Sequence, residues 1–294
     1  MKHGWSRGSR VLRILAIAVV VLILGLYLVL PFAMAVFAVF PYKDAVGAPP
    51  AGFKAITLQT EDGVTLAGWH LPPANGAAIL LIAGAGDARE AVRSHAEMLA
   101  RHGYGVLALD LRGHGQSGGE TNRFGWQSTQ DVGAAVAYLD SRDDVQAIGG
   151  LGLSLGGEVL LGAASAYPAL QAIVADGATR RSIPELIALP SERSLVRNFT
   201  ARVMFAGVAL LSGDKAPKPL LDSMVEAGSA QYLLIAAGGE EMEGAFNQRF
   251  VEAVGPRAAL WVAPEVSHIG AFARYPDEYE QRVIAFFDAA LLDH

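Results

Sequence analysis

Ala147-Ile148-Gly149-Gly150-Leu151-Gly152-Leu153-Ser154-Leu155-Gly156-Gly157-Glu158-Val159-Leu160-Leu161 begins as an apolar run of strand length and continues as a helix-length segment, with one serine where the pattern changes. A chain that turns sharply from strand to helix needs small residues at Gly152 and Gly156, since a side chain at either would strike neighbouring backbone. Ser154 is thereby held exposed on a strained turn. The free N–H groups that open the following helix, together with its dipole, favour a negative oxygen developing beside that serine. In a chain with 33 glycines a Gly-x-Ser-x-Gly pattern also arises as a plain turn. The strand before it and the helix after it are what give it weight.

Short apolar runs of the same kind lie at 77–83, 105–109, 172–175, 232–237 and 259–262. Most are separated by segments long enough for a helix, at 88–102, 127–141, 155–167 and 276–292. Strands alternating with helices imply an α/β domain whose mostly parallel sheet is covered on both faces. Ahead of this series, 54–60 and 64–71 read as a hairpin turned at Asp62-Gly63, which brings the sheet to eight strands. Residues 179–228 are far too long for an ordinary connection and read as a small cap inserted between two strands. Within the cap, Phe199 to Leu211 is apolar; packing on the sheet is the simplest expectation for it, and covering a pocket or touching lipid is the alternative.

No charged residue occurs between Ile14 and Tyr42, and Ile14 to Leu30 is almost wholly aliphatic. About 20 apolar residues cross a bilayer, so 14–40 reads as a transmembrane anchor even if Pro31 kinks or ends the helix. Lys2, Arg7, Arg10 and Arg13 mark a basic tail over 1–13, and only Lys43 follows closely. The positive-inside rule then puts the N-terminus in the cytoplasm and the rest of the chain across the membrane. A linker at 41–52, with Gly47, Pro49, Pro50 and Gly52, leads to a domain over 53–294. The rival is a cleaved signal sequence with Ala33-Met34-Ala35 as its small-residue site and a secreted product. Its apolar core would exceed the usual ~7–15 residues.

Of 294 residues 52% are hydrophobic, enough for a sizeable core. The net charge of −6 supplies no basic surface to displace counterions from phosphates, which argues against a nucleic-acid partner. Without cysteine there are no disulfides, no thiolate catalysis and no cysteine-bound metal. With no His-Glu-x-x-His and the histidines scattered, neither a metal nor a cofactor is expected.

A serine hydroxyl is a weak nucleophile at neutral pH and needs a base, commonly a histidine oriented by a carboxylate. His268 is best placed, in Pro264-Glu265-Val266-Ser267-His268-Ile269-Gly270, after the last apolar run and before the last helix. His3 and His294 are terminal, and His95 and His102 fall on a segment read as a surface helix. Glu240, Glu241 and Glu243 follow the preceding strand, so the chain order is serine, acid, histidine.

Asp110-Leu111-Arg112-Gly113-His114-Gly115-Gln116-Ser117 resembles the loop after the fourth strand of α/β-hydrolases, D-x-R-G-x-G-x-S. With the Ser154 turn and His268, the resemblance covers nearly everything from Phe53 onward. It implies a serine hydrolase of esterase type, with Ser154 as nucleophile, His268 as base and the backbone N–H groups of Ala85 and Leu155 as oxyanion hole. Asp110 and His114 would then be structural parts of their own loop. Two departures stand out. Ala83-Gly84-Ala85-Gly86-Asp87 occupies the place where many members carry His-Gly after the third strand, and glutamates stand where a G-x-x-D aspartate is common. Counting three positions from Gly238 selects Glu241, and a change of register selects Glu240 or Glu243. Asp176, after the preceding strand, is an outside candidate whose plain role is to cap the next helix.

The reaction so implied is cofactor-free acyl transfer from a small-molecule substrate to water through an acyl-enzyme. An ester is the first choice because alkoxide leaves more readily than amine; thioester, amide and peptide bonds stay open, as does oligomeric state. The N-terminal helix makes membrane lipid a further partner. Two other classes compete. Gly84-Ala85-Gly86 before a helix, with Asp110 ending the next strand, is similar to a dinucleotide fingerprint, but Arg89 takes the third glycine's place and Ser154 and His268 go unused. A hydrolase fold that binds without catalysing would keep the same elements.

Overall fold

The computed structural model describes residues 7–40, 43–189, 194 and 198–293. Lys2, His3, Tyr42, His294 and two parts of the cap, 190–193 and 195–197, lie outside the described residues. Eight strands form one sheet: β1 (Lys54–Gln59), β2 (Thr65–Leu71), β3 (Ala77–Ile82), β4 (Gly105–Leu109), β5 (Ala147–Leu153), β6 (Leu170–Asp176), β7 (Gln231–Ala237) and β8 (Ala258–Ala263). Their order is β1-β2-β4-β3-β5-β6-β7-β8; β2 runs antiparallel to both its neighbours and the other pairings are parallel. The hairpin closes through Thr60 N–H donating to Val64 O at 3.0 Å, around Gly63 at φ +83°. β3, β4 and β5 are buried at every position, which is why their sequences are aliphatic or small throughout rather than alternating.

The helices are α1 (Arg7–Leu24), α2 (Leu30–Val39), α3 (Arg93–Arg101), α4 (Thr129–Asp140), α5 (Leu155–Ala163) and α6 (Ile183–Leu186). They continue as α7 (Phe199–Ser212), α8 (Leu220–Glu226), α9 (Glu241–Val254), α10 (Ala271–Arg274) and α11 (Pro276–Leu291). One apolar core lies between the sheet and α4, α5, α8 and α9, and a second between its other face and α3, α10 and α11. His95 corrects the reading of α3 as a surface helix: it is buried in the second core, its ring 4.3 Å from that of Phe272, and burial pushes its pKa down to about 4.

The N-terminal helix differs from its sequence reading at two points. It takes in residues 7–13, which read as a tail, because arginine and leucine favour helix without needing an apolar setting. Nor does Pro31 end it. Gly25–Val29 adopts π-type turns, Leu30 N–H donates to Gly25 O, and Pro31, with no N–H to satisfy, sits in the first turn of α2. The result is one helical run, Arg7–Val39, of 33 residues, which contains an 18-residue stretch of mean hydropathy 3.0 and is long and apolar enough to cross a membrane.

None of α1 is buried, whereas Ala35 and Val39 of α2 are fully so, packed with Val208 and Trp126. Val39 O also accepts from Asn122 N–H at 3.0 Å, which ties the end of α2 to the domain. α7 therefore packs on α2 and not on the sheet, because both sheet faces are already covered. A Cβ added to Gly207 would lie 2.7 Å from Ala35 Cβ, so the two helices approach this closely only through small residues.

The loop after β4 is organised by a buried ion pair. Asp110 accepts from the Arg89 guanidinium, from Arg89 N–H at 2.7 Å and from Gln116 N–H at 2.9 Å, and both side chains are at most 1% exposed. Arg89→Ala would strand the Asp110 carboxylate and should cost about 3–5 kcal/mol. Thermal unfolding followed by circular dichroism should report the loss as a lowered Tm. Arg101→Ala, which removes an exposed pair with Glu280, should barely move it.

Candidate active site

β5 delivers the chain to Ser154 at φ +49° and ψ −116°, a region that residues with a side chain rarely adopt. Ser154 N–H donates to Asp176 O at 2.7 Å, which locks the turn to the adjacent strand. A Cβ at Gly152 would overlap the backbone of Gly156 and Gly157, and one at Gly156 would overlap the Ile82 carbonyl. A Cβ at Gly84 would sit 3.5 Å from that of Ser154, so the loop after β3 lies against the serine.

His268 Nε2 is 2.8 Å from Ser154 Oγ, and its Nδ1 hydrogen-bonds Glu243 Oε1. Glu243 Oε2 accepts from Ala237 N–H at 2.8 Å. A carboxylate only accepts, so Nδ1 carries the proton and Nε2 is left to accept from the serine hydroxyl. The hydrogen bond to Glu243 raises the His268 pKa above its ordinary 6.5, against the opposing effect of partial burial. The ring is held from the other side by Gly177, at φ +75°, where a Cβ would come 2.8 Å from His268 Cε1.

Of the glutamates left open by the sequence, the structure brings Glu243 to His268 and leaves Glu240 and Glu241 exposed. Counting from Gly238 misleads because α9 begins at Glu241, so these residues belong to a helix and its N-cap instead of a loop. With roughly 3.6 residues per turn, Glu243 shares the inner face with Phe246, Asn247 and Phe250, while Glu241 points out. Asp176 does not cap the next helix, a task taken by Ser182 at α6. It ends β6 buried near Glu243; burial, reinforced by that neighbouring charge, pushes its carboxyl up to about 7.

Leu155 is the first residue of α5, and its N–H is among those a helix start leaves without an intrahelical partner. Ala85 lies in the exposed loop after β3. The next residue, Gly86, donates its N–H to His114 Nε2 at 3.2 Å, while His114 Nδ1 pairs with Arg112 O at 3.2 Å. Burial lowers the His114 pKa, which keeps the ring in the neutral form this pair of bonds requires. His114 thus braces the loop that carries Ala85.

Sequence reasoning passed over Glu158. It is the one charged residue of α5, and its Oε1 accepts from Thr179 N–H at 3.1 Å, Thr179 Oγ1 at 3.2 Å and Arg180 N–H at 3.0 Å. Burial pushes its pKa up to about 7. The available signal was a lone carboxylate within an otherwise apolar helix.

Residues 73–216 match the family described as serine aminopeptidase, S33, a span that includes Ser154 and stops short of Glu243 and His268. No curated protein matches the sequence. Among solved structures, an esterase of Pyrococcus furiosus is 25% identical, covers 86% of this chain and 98% of its own, and superposes with a TM-score of 0.66. GrgF, an α/β-hydrolase of a Penicillium species, is 17% identical over 81% and 99% of the two chains, with a TM-score of 0.63. A dienelactone hydrolase of Anabaena variabilis is 21% identical over 81% and 98%, at 0.58. Each neighbour is matched over nearly its whole length, so what is shared is a complete fold.

The His268 imidazole should titrate above 6.5 when its Cε1–H resonance is followed by NMR. Glu243→Gln removes the anion that contributes most to raising it and should lower the value, since burial is then opposed only by the weaker effects of Asp176 and Glu158. Glu241→Gln should leave it in place.

Proposed function

We propose, on the premise that this chain belongs to the α/β-hydrolase fold family, that it hydrolyses a carboxylic ester through an acyl-enzyme formed on Ser154. The observation that carries the reading is the continuous relay from Ser154 Oγ, through both nitrogens of His268, to the buried Glu243 carboxylate. In the first step Ser154 Oγ attacks the ester carbonyl carbon as its proton passes to His268 Nε2. Glu243 stabilises the imidazolium that forms, and the carbonyl oxygen, now negative, is received by the N–H groups of Ala85 and Leu155. The C–O bond then breaks, the proton leaves with the alcohol, and water releases the acid by the same path in reverse. The esterase neighbour from Pyrococcus furiosus supports an ester as substrate.

The N-terminal helix serves, in this reading, as a retained anchor with its N-terminus in the cytoplasm and the catalytic domain on the other side. The exposed apolar surface of α1 and the basic residues before Ile14 support it. Signal cleavage after Ala35 would cut through α2 and remove the residue packed on Gly207. The dinucleotide reading has less to stand on: Gly86 N–H is engaged by His114, and Asp110 is spent on Arg89 instead of being free for a ribose.

Ser154→Ala should abolish labelling by a fluorophosphonate and hydrolysis of p-nitrophenyl esters, and labelling that persists would overturn the assignment. Glu243→Gln should lower kcat by about three to four orders of magnitude, as loss of a triad carboxylate does, with Glu241→Gln close to the parent. The base must be neutral, so kcat/KM should fall as pH drops through the His268 value, which lies above 6.5. That acid limb should move to lower pH in whatever activity Glu243→Gln retains. The full chain should stay in the membrane pellet after carbonate washing, and release into the supernatant would refute the anchor.

A further inference from the structure

We infer that the ester reaches Ser154 with its acyl chain lying in an apolar groove between the N-terminal helix and α7 that opens into the bilayer, so that the substrate is a long-chain acyl lipid taken from the membrane. The inference rests on the hydrolase reading of Ser154. Two cavities carry it. The inner one, of about 290 Å³, is walled by Met34 and Phe37 of α2, Met204 of α7 and Phe124, and it ends on Ala85 and Gly86 of the loop beside the serine, where His114 and Asn122 are its polar lining. The outer one, of about 620 Å³, runs between Leu28, Phe32 and Phe37 of the N-terminal helix and Val203 of α7, and every side chain lining it is apolar. Phe37 borders both, so the two follow one another along the same helix. Together they have the size and apolar character of a ligand site, which runs to roughly 300–1,000 Å³.

The length of the helix says which solvent meets the outer cavity. Counting about 20 membrane-crossing residues from Ile14 reaches Ala33, so the outer cavity, lined by residues from Leu28 to Phe37, sits where the helix leaves the bilayer. Residues 34–39 then stand on the domain side, where Ala35 and Val39 pack on the fold and Asn122 N–H holds Val39 O. One element therefore lines the lipid at one end and the reacting loop at the other. The outer stretch, which no polar side chain lines, gives nothing for a water-soluble acyl group to bind by, whereas an acyl chain already in the bilayer can slide along it without crossing water.

The test compares labelling of Ser154 by methyl and hexadecyl fluorophosphonates, with the full-length protein in phosphatidylcholine vesicles. The hexadecyl reagent should label at least about tenfold faster, and Met204→Trp, which fills the inner cavity, should cut the hexadecyl-to-methyl ratio by at least about tenfold. Partition of the long reagent into the vesicle is the same for both proteins, so the change in ratio reports the groove. Val203→Trp should lower the ratio through the outer cavity and decides the matter if Met204→Trp fails to fold, while Met204→Leu should keep the parent ratio. Equal rates for the two reagents, or a ratio unmoved by the tryptophan substitutions, would overturn the groove while leaving the nucleophile assigned. Failure of both reagents to label Ser154 would instead overturn the hydrolase reading.

Discussion

Between β5 and α5 the backbone of Gly152 lies so close to that of Gly156 and Gly157, and Gly156 so close to the Ile82 and Ala83 carbonyls, that neither flanking glycine has room for a Cβ, and Ser154 is held at a positive φ with its N–H bonded to Asp176 O. Every other part of the site is arranged around this turn. Because β3, β5, β6, β7 and β8 run parallel, their following segments all emerge at the same edge of the sheet. The loop after β3 brings Ala85, the turn after β5 brings Ser154, the helix after β7 brings Glu243, and the loop after β8 brings His268. Residues more than a hundred positions apart in sequence thus meet within hydrogen-bond distance through topology alone.

The buried charges near this edge divide the work. Asp176 and Glu243 are both carboxyls close to His268, but only Glu243 has a backbone N–H to accept and a direct bond to the imidazole. Asp176, with burial and its neighbour's charge both against ionisation, is the weaker partner for a cation. Glu158 uses its carboxylate to hold the backbone where the cap leaves the sheet, and the Asp110–Arg89 pair fixes the loop after β4. His114, carried on that loop, reaches Gly86 and so connects the ion pair to the backbone beside Ser154.

The cap is where the fold and the N-terminal helix join. α7 has an apolar surface that no sheet face remains to cover, and α2 covers it through the contact of Ala35 with Gly207. The N-terminal helix is consequently both a membrane-length segment and one wall of the space that ends on Ala85 and Gly86.

Much of this was legible in the chain itself. The strand and helix alternation, the hairpin at Gly63, the turn at Ser154 and the position of His268 follow from local pattern: an apolar run, a change of period and a glycine where a Cβ cannot fit are each written within a few neighbouring residues. The apolar length of the N-terminal segment is equally local. What only the tertiary structure decided is which side chains face each other. Glu240, Glu241 and Glu243 are equivalent in sequence until the start of α9 sets the helical phase that turns one of them inward. His95 reads as a surface residue until α10 and α11 close over it, and α7 reads as packing on the sheet until both faces of the sheet are seen to be filled. Local propensity sets what an element is, whereas its neighbours depend on distant segments competing for the same apolar surface, and that competition is resolved only in three dimensions.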